Sequence, residues 1–147
     1  MDRIKKERKK IMKKGIIKNA FLAVSLFGLL GTSMVSANNH QDTGFSFDLK
    51  FRNTKYTEPR AKTDASSSYA SITSLSNARS INCFIVGPGG ENVNSSTVVL
   101  APGQADFIHQ YTYEWNYRSC KLGVRKNGGW DNVHVTGVWS PDCIYCN

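Results

Sequence analysis

A basic and apolar leader constrains the fold of this chain most, because it sets how much sequence is left to fold and in which compartment. Nine of the 19 lysines and arginines fall within residues 1–18, and an apolar core follows over residues 20–30. Val35 and Ala37 then supply the residues that a signal peptidase accepts at the −3 and −1 positions. The pattern predicts a cleaved signal helix over residues 1–37, with Asn38 as the first residue of the mature chain.

Export is the first consequence of this leader. The apolar stretch from 19 to 37 is barely long enough to span a bilayer, and glycine, serine and threonine weaken its second half. Cleavage is therefore favoured over a permanent anchor, and contact with the membrane is expected only through the signal peptide before cleavage. We expect a secreted, extracellular protein, with association at the cell envelope as a further possibility.

The charge of the chain is concentrated in the leader. The formal net charge is +8 for all 147 residues, whereas residues 38–147 carry 10 basic and 9 acidic side chains and a net charge of +1. Nucleic-acid binding needs a basic patch on the folded domain. The composition of the mature chain therefore predicts no nucleic-acid partner.

The mature chain reads as one domain of short strands. Its 110 residues suit a single domain. Residues Phe45–Phe51 alternate strictly between apolar and polar side chains, and no segment keeps a helical period of 3.6. The sequence predicts an all-β fold with a single small antiparallel β-sandwich over 45–142, preceded by a flexible mature N-terminus at 38–44 and followed by a Cys-x-x-Cys tail at 143–147.

Local patterns add more detailed expectations. Ser80–Val86 is predicted as an inner strand, Tyr69–Leu75 as an edge strand and Thr57–Ser68 as a long polar loop. The Asn127–Gly129 turn between two alternating runs predicts a tight hairpin, in either of two registers.

An aromatic stripe follows in the second half of the chain. If residues 107–117 form one strand, its odd-numbered face carries the aromatic residues, including Tyr111, Tyr113 and Trp115. Large rings at a period of two are most often core residues, and an exposed row for binding is the alternative. Trp130 beside the glycine-rich turn is the aromatic residue expected to be most exposed. The possible binding aromatics are therefore Trp130, Tyr111, Tyr113 and Trp115.

Four cysteines lie in the mature chain, at positions 83, 120, 143 and 146. Four cysteines allow three pairings, and strand parity favours Cys83 with Cys120 and Cys143 with Cys146. A redox role for Cys-x-x-Cys is less favoured, because only one residue follows Cys146 and no helix can begin there. One such pair is also only half of a structural zinc site. We therefore predict two disulfides, no metal and no cofactor.

The motifs of common enzyme classes do not appear in the mature chain. Its histidines are His40, His109 and His134, and no Gly-x-Ser-x-Gly, His-Glu-x-x-His or phosphate-binding loop accompanies them. Nine acidic residues offer carboxylate pairs by chance alone. The sequence therefore predicts no catalytic residue and no enzymatic activity.

The end of the chain resembles a known family. Val135–Asp142 contains a Ser/Thr-Gly-x-Trp-acidic pattern, and an Asn/Gly-rich turn at Asn127–Gly129 precedes it. Both features are similar to those of a family of small exported proteins of Gram-positive bacteria, catalogued only as a domain of unknown function. The resemblance implies secretion and a β fold, and it supplies no active site.

The functional expectation follows from these observations together. We expect a small secreted, non-enzymatic β-sandwich protein that binds a cell-envelope or extracellular partner, either a protein or a glycan. The alternative is a bacteriocin-like secreted antimicrobial or toxin protein.

Overall fold

The computed structural model describes residues 39–51, 53–129, 131–144 and 146. Within these residues the chain forms nine strands and no helix. The strands are β1 (Thr43–Leu49), β2 (Lys55–Tyr56), β3 (Arg60–Ala61), β4 (Ser68–Leu75), β5 (Ile81–Val86), β6 (Val98–Leu100), β7 (Ala105–Ile108), β8 (Ser119–Lys126) and β9 (Val133–Ser140). The predicted signal peptide, including Val35, Ala37 and Asn38, lies outside the described residues.

Two antiparallel sheets pack against each other. Sheet A has the strand order β1-β9-β4-β7, and sheet B has the order β2-β8-β5-β6 with β3 also paired to β8. The predicted all-β antiparallel sandwich is therefore confirmed.

The alternating runs of the sequence supply the core between the sheets. From sheet A, Leu49, Ile72 and Trp139 point inward and are almost completely buried. From sheet B, the inward residues include Ile85 and Leu122, which face each other across β5 and β8. The alternation predicted for the first strand is confirmed from Phe45 to Leu49, but the strand ends there and Phe51 is 46% exposed. The inner position predicted for β5 is confirmed, because β5 lies between β8 and β6.

The predicted hairpin around Asn127–Gly129 is wrong. Strand β8 belongs to sheet B and β9 to sheet A, so the connection between them crosses from one sheet to the other. Gly128 and Gly129 do adopt the positive φ values, 89° and 80°, that the turn signal indicated. Turn chemistry and parity do not distinguish strands that pair side by side from strands that face each other across the core, because both arrangements bury the same faces.

Two further expectations need correction. Tyr69–Leu75 is not an edge strand, since β4 lies between β9 and β7 with Ala70 and Ile72 fully buried. Its serines and threonines mostly point away from the core. The segment therefore has the polar composition that is typical of an edge strand, although it lies inside the sheet. The predicted polar loop Thr57–Ser68 contains β3, and both β2 and β3 pair with β8.

The side chain of Thr57 joins β2 and β3 into one interrupted edge. The Thr57 amide donates to the Leu122 carbonyl at 3.0 Å, and the Thr57 hydroxyl accepts the Leu122 amide at 3.0 Å. Pro59, which has no amide proton, lies in the gap between the two strands. The ladder shifts register by one residue across this gap, as in a β-bulge.

Only one of the two predicted disulfides is present. Cys143 and Cys146 are bonded, whereas Cys83 and Cys120 are free and buried. Cys83 faces Val124 on the neighbouring strand, and Cys120 lies four residues further along that strand. At about 3.4 Å per residue this offset is about 14 Å, twice the longest Cα separation that a disulfide bridges. The predicted Cys83–Cys120 bridge is therefore wrong, although the shared face was correctly inferred.

Candidate functional site

The chain after β7 turns instead of continuing as a strand. Strand β7 ends at Ile108, and residues 112–116 form a turn in which the Trp115 amide donates to the Tyr111 carbonyl at 2.9 Å. Asn116 has a φ of 67°, a left-handed conformation that asparagine adopts more readily than most residues. The single strand predicted for residues 107–117 is therefore wrong.

Because of this turn, several side chains that were predicted to be buried are exposed, and several predicted to be exposed are buried. Ile108, Gln110 and Thr112 are buried, whereas 48% of Phe107 and 50% of Trp115 remain exposed. The preferred interpretation of the stripe as core is wrong for these residues. Gln110 is buried because it is hydrogen-bonded: its side-chain oxygen accepts the Thr112 amide at 2.6 Å, and its amide donates to the Ser66 carbonyl at 3.2 Å.

Five rings form what we call the aromatic row, made of Tyr69, Phe107, His109, Tyr111 and Trp115. Phe107 faces Tyr69 across β7 and β4, and their ring centroids are 5.8 Å apart. His109 meets Tyr111 edge-on at 4.9 Å, and Tyr111 lies nearly parallel to Trp115, at 21° and 6.1 Å. These separations are typical of favourable aromatic pairs. The row therefore consists of two groups of contacting rings, Tyr69 with Phe107 and His109 with Tyr111 and Trp115, and it leaves Phe107 and Trp115 half exposed.

A groove opens beside the Tyr69–Phe107 end of the row. It has a volume of about 230 Å³. Its walls are formed by His40, Asp42, Tyr69, Phe107, Ser140, Asp142, Cys143 and Ile144. Ile144 is 55% exposed, so it adds an apolar surface to the two rings. The row and the groove together combine apolar rings with a few polar groups, which is the usual make-up of a binding site.

The structure brings together only part of the predicted aromatic set. Tyr111 and Trp115 contact each other, whereas the ring of Tyr113 is covered by the Arg118 guanidinium at 4.4 Å. Arg118 is itself fixed by a hydrogen bond to Asn116 at 2.7 Å. Tyr113 therefore belongs to a cation–π pair and not to the row. Trp130 lies outside the described residues.

A buried ion pair, which the sequence analysis did not identify, lies near the groove. The Lys62 ammonium is 2.6 Å from Asp142 Oδ1, and both side chains are completely buried. Asp142 Oδ2 accepts three further hydrogen bonds, from the Thr63 hydroxyl at 2.6 Å, the Thr63 amide at 3.0 Å and the Asn39 amide at 3.1 Å. Lys62 also donates to the Ser66 carbonyl. We call Lys62, Thr63 and Asp142, with the backbone of Asn39 and Ser66, the buried cluster.

The hydrogen bonds of this cluster determine the ionisation of Asp142. Burial alone raises the pKa of the Asp142 carboxyl, but the hydrogen bonds from Lys62 and Thr63 outweigh it. The pKa of Asp142 therefore lies below its ordinary value. No sequence signal distinguishes Lys62 from the other lysines of a polar segment, so only the fold identifies this pair.

Ser46, His134 and Asp48 have the connectivity of a catalytic triad on the outer face of sheet A. His134 Nδ1 is 2.7 Å from Asp48 Oδ1, and His134 Nε2 is 3.5 Å from Ser46 Oγ. The Asp48 side chain is 80% exposed and that of His134 is 49% exposed. A triad depends on a water-excluded site with donors for an oxyanion. These three residues lie in open water, where a charge pair contributes little.

Neither a cluster of metal-ligating side chains nor a membrane-spanning helix is present in the part of the chain that the structure describes. In residues 39–51, 53–129, 131–144 and 146, no three or more histidine, cysteine, aspartate or glutamate side chains are grouped as metal ligands. No helix in that part of the chain is both long and apolar enough to cross a membrane.

Comparison with known proteins gave one match. A family model described as "Protein of unknown function (DUF2712)" matches residues 33–143, which is more than half of the chain. This match confirms the resemblance to a domain of unknown function. No curated protein and no solved structure matches.

Proposed function

The chain belongs to the DUF2712 family of proteins of unknown function, and we propose that it is a small secreted, non-enzymatic β-sandwich that binds a cell-envelope or extracellular partner through its aromatic row. The observation that carries this proposal is the half exposure of Phe107 and Trp115, each of which contacts another ring of the row.

Exposed rings in contact with one another favour a binding role over a purely structural one. Leaving a large aromatic side chain half in water forfeits part of the roughly 1.5–3 kcal/mol that full burial contributes. Isolated exposed apolar residues are common on protein surfaces, whereas contiguous ones mark interaction sites. Aromatic residues are also enriched at interfaces and at their energetic hot spots. A partner that covers Phe107 and Trp115 would recover this burial.

The leader and the charge of the chain support the compartment and the class of partner. The signal-peptide pattern of residues 1–37 directs the domain to the envelope or beyond it. With a net charge of +1 after cleavage, the domain has little long-range attraction for polyanions. Short-range contacts with ring faces and nearby polar groups are then the main source of affinity.

We propose that Ser46, His134 and Asp48 do not act as a catalytic triad. Ser46 lies at the outer limit of hydrogen-bonding distance from the imidazole, and the histidine–aspartate pair is solvated. Neither this trio nor its neighbours on β1 line the groove beside the aromatic row.

Sedimentation with envelopes isolated from producing cells tests the proposal. Secreted protein should co-sediment, and Trp115→Ala or Phe107→Ala should weaken binding about 30-fold, the loss of about 2 kcal/mol expected at a hot spot. Tyr56→Ala is the matched control, because Tyr56 is 47% exposed but lies on sheet B. Pretreating the envelopes with a glycan hydrolase or a protease identifies the partner class. Equal binding by all variants would contradict the proposal.

The bacteriocin-like alternative uses the same exposed rings against the surface of a target cell. Spotting the secreted protein on lawns of related bacteria separates the two roles. Clearing zones that Trp115→Ala abolishes would replace the accessory binding role with an antibacterial one.

A further inference from the structure

We propose that Lys62 and Asp142 condense into an intramolecular amide bond, so that the mature protein carries a covalent cross-link between two distant segments. The observation is a completely buried amine 2.6 Å from one oxygen of a completely buried carboxyl group. Since a carboxyl C–O bond is only about 1.25 Å long, the distance from Lys62 Nζ to the carboxyl carbon of Asp142 is close to the 3–3.5 Å that separates reacting atoms in near-attack conformers. This inference does not depend on the proposed binding function.

The second carboxyl oxygen of Asp142, Oδ2, is surrounded by the hydrogen-bond donors that the reaction requires. Asp142 Oδ2 accepts hydrogen bonds from the Thr63 hydroxyl, the Thr63 amide and the Asn39 amide, at 2.6 to 3.1 Å. One proton first passes from Nζ to Oδ1 across their 2.6 Å contact; when the neutral amine then adds to the carboxyl carbon, negative charge develops on Oδ2, and these three fixed donors stabilise it in the manner of an oxyanion hole. The other oxygen, Oδ1, contacts the amine and is the leaving group.

The protons and charges of the step balance without a further reactant. The Lys62 ammonium and the Asp142 carboxylate together are neutral, as are the amide and the water that they form. Two N–H bonds and the C–Oδ1 bond break, and one C–N bond forms. The two protons from Nζ end on Oδ1, which leaves as water, and no atom is oxidised or reduced.

Asp64 is placed to relay one of these protons. Its Oδ1 atom lies 3.8 Å from Lys62 Nζ, and its side chain is only partly exposed. A carboxylate there can accept a proton from the attacking nitrogen once the two atoms approach from 3.8 Å to hydrogen-bonding distance. Asp64 is itself positioned by the Ser66 amide, which donates to the same Oδ1 at 2.9 Å.

Burial favours the product. A charged pair loses its hydration when it is buried, and its mutual attraction repays only part of that cost. The amide is neutral and keeps the existing partners, because its N–H can donate to the Ser66 carbonyl and its oxygen can retain the Thr63 donors. Once the water has left for the solvent, the reverse reaction, hydrolysis of the amide, lacks its second reactant.

The cross-link would join parts of the chain that lie far apart in sequence. Lys62 follows β3 of sheet B, and Asp142 follows β9 of sheet A, 80 residues later. A covalent closure of this length lowers the conformational entropy of the unfolded chain, by analogy with a disulfide, and so stabilises the folded state. Such a bond would fasten the two sheets and the start of the Cys143–Cys146 tail.

Mass spectrometry of the secreted protein tests the inference directly. After reduction of the disulfide, we expect an intact mass about 18 Da below that of the processed sequence, which is the mass of one water. Trypsin should not cleave after Lys62, and peptide 61–79 should be recovered joined to peptide 127–147. Fragment ions should place the bond between Lys62 and Asp142.

Lys62→Met is the matched variant, because methionine has a similar length and no amine. Its secreted form should show the full mass for its sequence, and it should resist heat less well than the parent. Asp64→Asn should slow cross-linking while leaving both reacting groups in place. The parent protein alone decides the question, even if a variant does not fold. An intact mass equal to that of the processed sequence, with cleavage after Lys62, would overturn the inference.

Discussion

Gln110 and Thr112 are buried while Phe107 and Trp115 are half exposed, which is the reverse of their hydropathies. Gln110 is accommodated because its side chain bridges the Thr112 amide and the Ser66 carbonyl, whereas the Thr112 hydroxyl is buried with no hydrogen-bond partner among the described residues. The same principle holds at Lys62 and Asp142, which are buried and fully paired. Hydrogen bonding therefore accounts for the burial of Gln110, Lys62 and Asp142 but not for that of Thr112, while Phe107 and Trp115 remain half exposed in the aromatic row.

Cys83 and Cys120 should be unreactive in the folded protein. Burial raises the pKa of both thiols to about 12, so the reactive thiolate is scarce near neutral pH. Iodoacetamide at pH 8 should label neither cysteine in the native state, two in denaturant and four after reduction. Labelling of native Cys83 or Cys120, or no labelling in denaturant, would contradict the assignment of free thiols.

The same thiols predict a loss of stability at alkaline pH. From pH 9 to about 12 the unfolded thiols lose their protons while the folded ones keep them. The free energy of unfolding therefore falls as pH rises, by up to about 1.4 kcal/mol per pH unit for each thiol. Urea unfolding of the parent and of Cys83→Ala across this range measures the effect, and the variant should show the shallower slope. Parallel slopes would contradict it.

At the scale of strands, the sequence predicted those whose faces differ sharply. Strands β1 and β5 were identified because Phe45, Leu49, Ile81 and Ile85 alternate with polar or less buried residues. The hairpin after β8 and the strand at residues 107–117 were not predicted correctly. The alternation of apolar and polar residues indicates which face of a strand is apolar. It does not indicate which sheet the strand joins or where a polar turn ends it.

Gly137 on β9 should not tolerate a side chain. A Cβ atom there would collide with the Ser71 carbonyl and lie 2.7 Å from the ring of Phe45. Gly137→Ala should therefore lower the free energy of unfolding by about 1–3 kcal/mol or more. Gly44 on β1 is the control, because its nearest contact would be at 3.9 Å, and Gly44→Ala should change stability by less than about 1 kcal/mol. Urea midpoints that shift equally would contradict this account.

At the scale of the whole molecule, the chain moves repeatedly between the two sheets. Among the strands that the structure describes, only β5 and β6 are both consecutive in sequence and paired in a sheet. The sandwich was predicted from composition, length and strand spacing, but its strand order depends on long-range pairing that one sequence does not encode in any local signal. The buried cluster was missed for the same reason, since Lys62 and Asp142 are 80 residues apart.

Export involves the whole chain, and the signal peptide should be cleaved directly before the folded domain. The Asn39 amide is hydrogen-bonded to Asp142, so the first described residue is already attached to the sandwich. N-terminal sequencing of the culture supernatant should begin at Asn38. Ala37→Leu should block cleavage and leave a precursor with the cells. Full-length protein found in the cytoplasm with an intact leader would contradict export.

We propose that the aromatic row contacts an envelope or extracellular partner, a claim that site-specific photo-cross-linking can check. A photoreactive phenylalanine analogue would replace Trp115 in one secreted protein and Tyr56 on sheet B in another, since the two residues are 50% and 47% exposed. On the surface of producing cells, position 115 should form a discrete cross-linked product and position 56 should form none. Cross-linking at position 56 alone, or equally at both positions, would contradict the claim.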